Sequence, residues 1–315
     1  HPILRNVFEA LLNRDPATNE LVGELAESWE WTDDRTIRFT LREGITYHNG
    51  DPLTAEDAAF GINYTWDPAN AFDIAQFMGS QITATAVDDL TIDVQTADPD
   101  PLLPAILYFA PLPSARQIRE APDTLVDHPI GTGPYTFVEW ARGEKIEFTA
   151  FPEWWGNTYP EAALGAQSIR DVTYIWRPES SVRAAQVIAG EAQLGRFLSP
   201  EDCATTPACK EAISVETVPL RLDTVYPVLN DIRVRKAITY AIDKQAVVDE
   251  LFGSGAVANQ RVGPSATGYN AEMAQTPYDP DLARQLVAEA AADGVPVELP
   301  LIIAVRQGVY LRAEE

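Results

Sequence analysis

Cys203 and Cys209 are the two cysteines of the chain, set in Asp-Cys-Ala-Thr-Thr-Pro-Ala-Cys-Lys. Their spacing is too long for a CxxC redox pair, and no second pair or nearby histidine completes a zinc set. A small loop closed by a disulfide is the favoured reading and fits an oxidising compartment; two free thiols are the alternative. His1, His48 and His128 are the three histidines, dispersed along the chain without metal-ligand spacing. His48 falls in a turn and His128 precedes a proline. There is no Gly-x-Ser-x-Gly, no His-Glu-x-x-His and no cysteine in a local catalytic signature. Paired carboxylates stay open among the 47 acidic residues, but none stands out. Gly131-Thr132-Gly133 could suggest a phosphate loop, yet no Lys-Ser/Thr follows and Pro134 lacks a donor N–H. These glycines fit a tight backbone turn into a strand better. The expectation is therefore no catalytic residue, no metal ligand and no cofactor.

The elements around these residues are easier to read. Ile37, Phe39 and Leu41 alternate with Arg38, Thr40 and Arg42, the period of a half-buried strand. Asp33-Asp34 before that run and Asn49-Gly50 after it are turn chemistry. Thr54-Ala-Glu-Asp57 has the form of a capping box, and Ala59, Ile62 and Trp66 lie on one face of the helix it opens; Asp67-Pro68 stops it. Residues 1–25 are expected to supply a short strand and helix. Strands are expected over Ile82–Val87 and Leu90–Thr96, and a short helix over Leu102–Phe109. Tyr135–Trp140 and Lys145–Ala150 form a hairpin across Arg142-Gly143. Further strands are expected at Val172–Trp176, Val215–Leu222 and Leu299–Val305. Helices are expected at Ser180–Ala189, after a cap at Asn230 or Asp231, and from Asp279-Pro280 to Gly294. Tyr310–Glu315 reads as the start of another helix, so the chain looks cut within a β-α unit, and its start at His1 looks processed, trimmed or unresolved.

Length bounds the architecture: 315 residues can bury a large core and allow two or three domains. The net charge of -24 argues against nucleic acid, whose phosphates need basic patches, and against adsorption to an anionic membrane. A solvating acidic surface is the simplest account. No apolar run reaches the roughly 18 residues of a membrane-spanning helix.

The wording of several segments is more specific than their physics. Leu25-Ala26-Glu27-Ser28-Trp29-Glu30, Phe39-Thr40-Leu41-Arg42-Glu43-Gly44, His48-Asn49-Gly50 and Leu53-Thr54-Ala55-Glu56-Asp57 occur in fixed order. Pro129-Ile-Gly-Thr-Gly-Pro-Tyr135 with Trp154-Trp155-Gly156 follows, then Gly190-Glu-Ala-Gln-Leu194, then Pro227-Val-Leu-Asn-Asp-Ile-Arg-Val-Arg235 with Ala241-Ile242-Asp243-Lys244. This series resembles extracellular solute-binding protein family 5, the peptide/nickel-binding receptors of ABC importers. The resemblance implies an α/β, two-lobed periplasmic-binding-protein-like fold (type II, cluster C-like) with an extra α+β subdomain in the first lobe. It divides the chain into a lobe I core (1–27 and 124–225), the extra subdomain (28–123) and a lobe II (226–315) incomplete at its C-terminal end.

By the same resemblance the protein is not an enzyme. A monomeric, periplasmic or extracellular receptor is expected, either free or lipid-anchored, that passes a small solute to permease subunits and their ATPases. Peptide is the expected solute; a nickel or metal chelate, an opine or an oligosaccharide is the alternative, and a hydrolase the remote one. The family's cleft-side segments map onto Phe8 and Glu9 and onto Gly195, Arg196 and Phe197, with Phe72 and Trp154 as further cleft-wall candidates. Arg196 could hold a carboxylate through parallel hydrogen bonds or pair with an acidic surface neighbour. Core packing is the competing reading for Phe8 and for Trp154 with Trp155.

Overall fold

A computed structural model describes residues 3–70, 72, 75, 81–159, 168–210, 217–253, 255–264, 266 and 268–304. The chain separates into two compact units, His1–Trp176 and Arg177–Glu315.

The first unit is built on antiparallel strands. A short pair, β1 (Leu12–Arg14) and β2 (Leu21–Gly23), precedes a four-stranded sheet of β3 (Ala26–Trp31), β4 (Thr36–Leu41), β5 (Ile82–Ala86) and β6 (Thr91–Thr96), in the order β3-β4-β6-β5. The alternation in β4 works as expected: Ile37, Phe39 and Leu41 are buried, against Ile92 and Val94 of β6. Opposite them, on the other face, Arg38 donates from Nε and Nη2 to the two carboxylate oxygens of Asp93, both at 2.7 Å. Helix α1 (Ala55–Trp66) packs its Ala58, Ile62 and Trp66 face into the same core. The Asp57 N–H donates to Thr54 Oγ1 at 3.2 Å, and the Thr54 hydroxyl donates back to Asp57 Oδ2 at 2.8 Å. The capping residue thus engages both main chain and side chain three positions on.

Two short helices, α2 (Leu103–Leu107) and α3 (Ala115–Glu120), lead to a second sheet of β7 (Tyr135–Ala141), β8 (Lys145–Ala150) and β9 (Asp171–Ile175) in sequential order. Gly143 turns the β7–β8 hairpin at φ +79°. Residues 1–25 depart from expectation. Among the described ones a single 3-10 turn, Leu4–Asn6, stands where a helix was expected, and two short strands rather than one follow. The apolar residues there cluster as Val7-Phe8 and Ala10-Leu11-Leu12, all buried, so they fill a core without a helical stripe.

The second unit is mainly helical: α4 (Ser180–Ile188), α5 (Pro200–Thr205), α6 (Pro227–Asn230), α7 (Ile232–Ala241) and α8 (Pro280–Ala292), with a π-helical turn at Val247–Phe252. Asp231 caps α7, its carboxylate also taking Arg233, which pairs in turn with Asp293 beyond α8. Val228, Leu229, Val234 and Ala290 form a small core. Cys203 and Cys209 are joined by a disulfide, the favoured of the two expectations, with Cα atoms 5.5 Å apart.

Two expected strands are corrected here. Thr217–Leu222 is irregular, and Leu301–Ala304 is irregular and solvent-exposed, Ile302 being 91% accessible. An apolar run becomes a strand only with a lateral partner for its N–H and C=O groups, and the described residues offer none to either segment. Most of Ala71–Gly79, together with Val215 and Tyr310–Glu315, lies outside the described residues.

Gly131 and Gly133 owe their place to close approach. A Cβ on Gly131 would sit 2.0 Å from the Val7 carbonyl oxygen, and one on Gly133 2.7 Å from it; the Gly133 N–H donates to that same oxygen at 2.9 Å. Gly131→Ala is expected to lower stability by about 1–3 kcal/mol or more by overpacking, read as a fall in the urea midpoint. An unchanged midpoint would show that the two segments separate freely.

Candidate functional site

The candidate residues other than Phe72 lie in two places, one in each unit. In the first unit Glu9 lies at the centre of a buried polar group. It is 1% exposed, and its two oxygens accept the indole N–H of Trp154 at 2.9 Å and of Trp155 at 2.8 Å. Trp154 is 2% exposed, and its ring would overlap any side chain at Gly156. Glu24, also buried, accepts from the Ala10 N–H (2.7 Å), from Asn13 Nδ2 (2.6 Å) and from Arg5 Nη1 (3.3 Å). Arg42 closes the group. Its Nε donates to the Glu24 carbonyl at 2.8 Å, and its guanidinium lies over the rings of Trp155 and Tyr159. Phe8 packs beside this group with Val7 and Phe148, so its core reading describes its contacts.

Burial raises the pKa of both glutamates, and the charge on Glu24 pushes Glu9 further up. Arg5, the Ala10 N–H and Asn13 favour the ionised form of Glu24, whereas Glu9 has only neutral donors. Of the two, Glu9 therefore holds its proton the more strongly. The buried Thr132 hydroxyl lies beside the Glu9 carboxyl and, like the two indoles, opposes the rise.

His48 braces the Gly131–Gly133 turn. Its Nε2 is 2.9 Å from the Gly133 carbonyl, and the Gly131 N–H points at Nδ1 from 3.4 Å, which assigns a neutral ring with its proton on Nε2. Burial lowers its pKa, in keeping with that state. Nothing local in the sequence marks His48, Glu24, Asn13 or Arg5 as partners, because each contact spans more than ten residues or ends on backbone.

The second place is the loop after α4. Ala189 ends the helix and Gly190 turns at φ +75°, with Gly190 N–H donating to Val187 O and Glu191 N–H to Gln186 O. That is a Schellman stop, and it needs glycine at its left-handed position. The chain then presents Leu194, Arg196 and Phe197 to solvent, Phe197 being 79% exposed. Arg196 forms no ion pair among the described residues; its guanidinium lies 5.0 Å over the Phe197 ring. The Arg183 guanidinium anchors this stretch by donating to the carbonyls of Arg196 (3.0 Å) and Phe197 (2.6 Å).

The structure thus brings Glu9 together with Trp154, and Arg196 together with Phe197. Phe72, partly exposed, packs edge-on against Tyr64 at 5.6 Å and joins neither group among the described residues. No group of three or more His, Cys, Asp or Glu suited to a metal exists among the described residues.

A carboxyl that is neutral when folded and ionises when unfolded gives a definite sign. The folded state binds the extra proton above the ordinary glutamate value of 4.5, so the stability from Glu9 is full below that pH. It is lost as the pH rises towards the raised folded value. Glu9→Gln is expected to cost about 1–3 kcal/mol at about pH 5, because its NH2 cannot accept one of the two indoles. It should also flatten the decline in urea stability between about pH 5 and about pH 8. Parallel pH profiles for the variant and the parent would place the proton elsewhere.

Residues 20–310 match the family described as bacterial extracellular solute-binding proteins, family 5 Middle. Di/tripeptide-binding protein 4 of Pseudomonas aeruginosa is 31% identical over 93% of this chain and 60% of its own length. Heme-binding protein A of Haemophilus influenzae is 27% identical over 91% of this chain and 56% of its own. Among solved structures, the ABC transporter-associated periplasmic binding protein of Helicobacter pylori in complex with the peptide STSA superposes with a TM-score of 0.75. It is 25% identical, over 92% of this chain and 61% of that one. The chain therefore spans a little under two-thirds of the length of these relatives, and its mixed α/β fold is theirs. With nearly all of its residues matched, the chain belongs to the family 5 bacterial extracellular solute-binding proteins.

Proposed function

We propose that this chain is the greater part of an extracytoplasmic receptor that captures a small solute, a peptide in the first instance, and hands it to the permease of an ABC importer. The observation that carries the reading is the match over residues 20–310, strengthened by a di/tripeptide-binding relative at 31% identity. The haem-binding relative at 27% identity makes haem the competing solute to test. Work outside the cytoplasm accords with the family and with a disulfide between Cys203 and Cys209. The same proposal covers a receptor either free or lipid-anchored, and the division into a lobe I core, an inserted subdomain over 28–123 and a lobe II from residue 226. Capture without chemical change accords with relatives that are binding proteins, and transport energy would come from the partner ATPase.

In this reading the two groups of candidate residues have different jobs. Arg196 and Phe197 are exposed and meet the solute directly, the guanidinium taking a carboxylate while the ring covers apolar surface. Phe72 is a further exposed aromatic contact. Phe8, Glu9 and Trp154 are buried and act from within the first unit, by fixing its N-terminal segment.

Arg196→Ala in the full protein is expected to weaken binding of a di- or tripeptide by about 1–3 kcal/mol, roughly 5- to 150-fold in Kd by titration calorimetry. A Kd equal to that of the parent would reduce Arg196 to a surface residue.

A further inference from the structure

We infer that Arg183 is the positioning residue of the solute site, holding the Leu194–Leu198 loop in the one conformation that presents Arg196 and Phe197. The inference rests on the receptor reading for its purpose but not for its geometry.

Arg183 projects from the first turn of α4 and, among the described residues, spends its guanidinium on main chain. Nη1 donates to the carbonyls of Arg177 and Pro178, both at 2.6 Å; Nε donates to Arg196 O at 3.0 Å and Nη2 to Phe197 O at 2.6 Å. Four backbone acceptors thus converge on one cation, two from the segment entering the helix and two from the loop that follows it. A planar, permanently charged fork suits this task, because its N–H groups have fixed directions; a lysine ammonium has no such fork.

The loop it holds is strained. Phe197 has φ +57°, a left-handed conformation unusual for a bulky residue. Such a backbone is unfavourable in itself and persists only where its surroundings impose it. Most of the Phe197 side chain is in solvent, so packing of the ring into a core does not impose it. The bond from Arg183 to the Phe197 carbonyl is the constraint at the strained residue itself. Two neighbours narrow the loop further. A Cβ on Gly195 would come within 3.1 Å of Val187 Cγ2, and the Ser199 N–H donates to Ser180 Oγ at 2.7 Å, tying the far end of the loop to the start of α4. Strain at an exposed residue, offset by a half-buried cation, is the pattern expected where a site is organised before its ligand arrives.

Trypsin reads this conformation without any solute, because Arg196–Phe197 is itself a tryptic bond whose two carbonyls Arg183 engages. Cleavage there requires local opening, so its rate follows the open population. In the full protein, Arg183→Gln is expected to speed cleavage at Arg196–Phe197 by about tenfold or more, while cleavage at Arg284–Gln285 within α8 of the same unit stays at the parental rate. Arg183→Lys, which keeps the charge and loses the fork, should also open the loop. Equal acceleration at both bonds would mean that Arg183 only stabilises the unit, and an unchanged rate at Arg196–Phe197 would mean that the loop holds itself; either overturns the inference. The receptor reading fails separately, through solute titration of the parent protein.

Discussion

The burial of two glutamates behind a pair of tryptophans is the constraint on which the first unit depends. Carboxyl groups inside a protein are costly unless their hydrogen-bonding capacity is met, and here the chain meets it from far-separated places. Trp154 and Trp155 reach Glu9 from some 145 residues away, and Arg5, Asn13 and the Ala10 N–H supply Glu24. The arrangement fixes the N-terminal segment against the turn after β8. It also explains why Gly131 and Gly133 must lack side chains: the Val7 carbonyl, just before Phe8 and Glu9, occupies that space. Breaking one member would leave the others buried and unpaired, which makes the group more a device for a single arrangement than a large net source of stability.

The segments that identify the family are largely scaffold. Trp154-Trp155-Gly156 holds Glu9, His48 braces the Gly131–Gly133 turn, and Thr54-Ala-Glu-Asp57 caps α1. None of these needs to touch a solute to matter. The exposed chemistry lies in a short loop whose wording is less distinctive, where Arg196 and Phe197 stand clear of the unit that carries them. A family of receptors can then keep this scaffold and vary the exposed loop, which accords with relatives named for peptides and for haem.

Local signals were legible in the sequence because their causes lie within a few residues. The alternation of β4, the Thr54 cap, the Gly143 hairpin and the Asp279-Pro280 start of α8 all appear where the pattern places them. The misses have non-local causes. Leu301–Ile303 reads as a strand by composition, but no described segment pairs with it, and it lies exposed. Glu9 gave no sign that it would be enclosed, since its partners sit far down the chain. Arg183 was silent for a different reason: its acceptors are backbone carbonyls, which every residue possesses and no motif records.

The central claim is capture of a peptide without chemistry. Native mass spectrometry of the full protein as purified, and then after incubation with an equimolar panel of di- and tripeptides, tests it most directly. The account predicts a 1:1 complex from which denaturation releases an intact peptide. Release of hydrolysed fragments, or a spectrum in which haem binds and no peptide does, would contradict it.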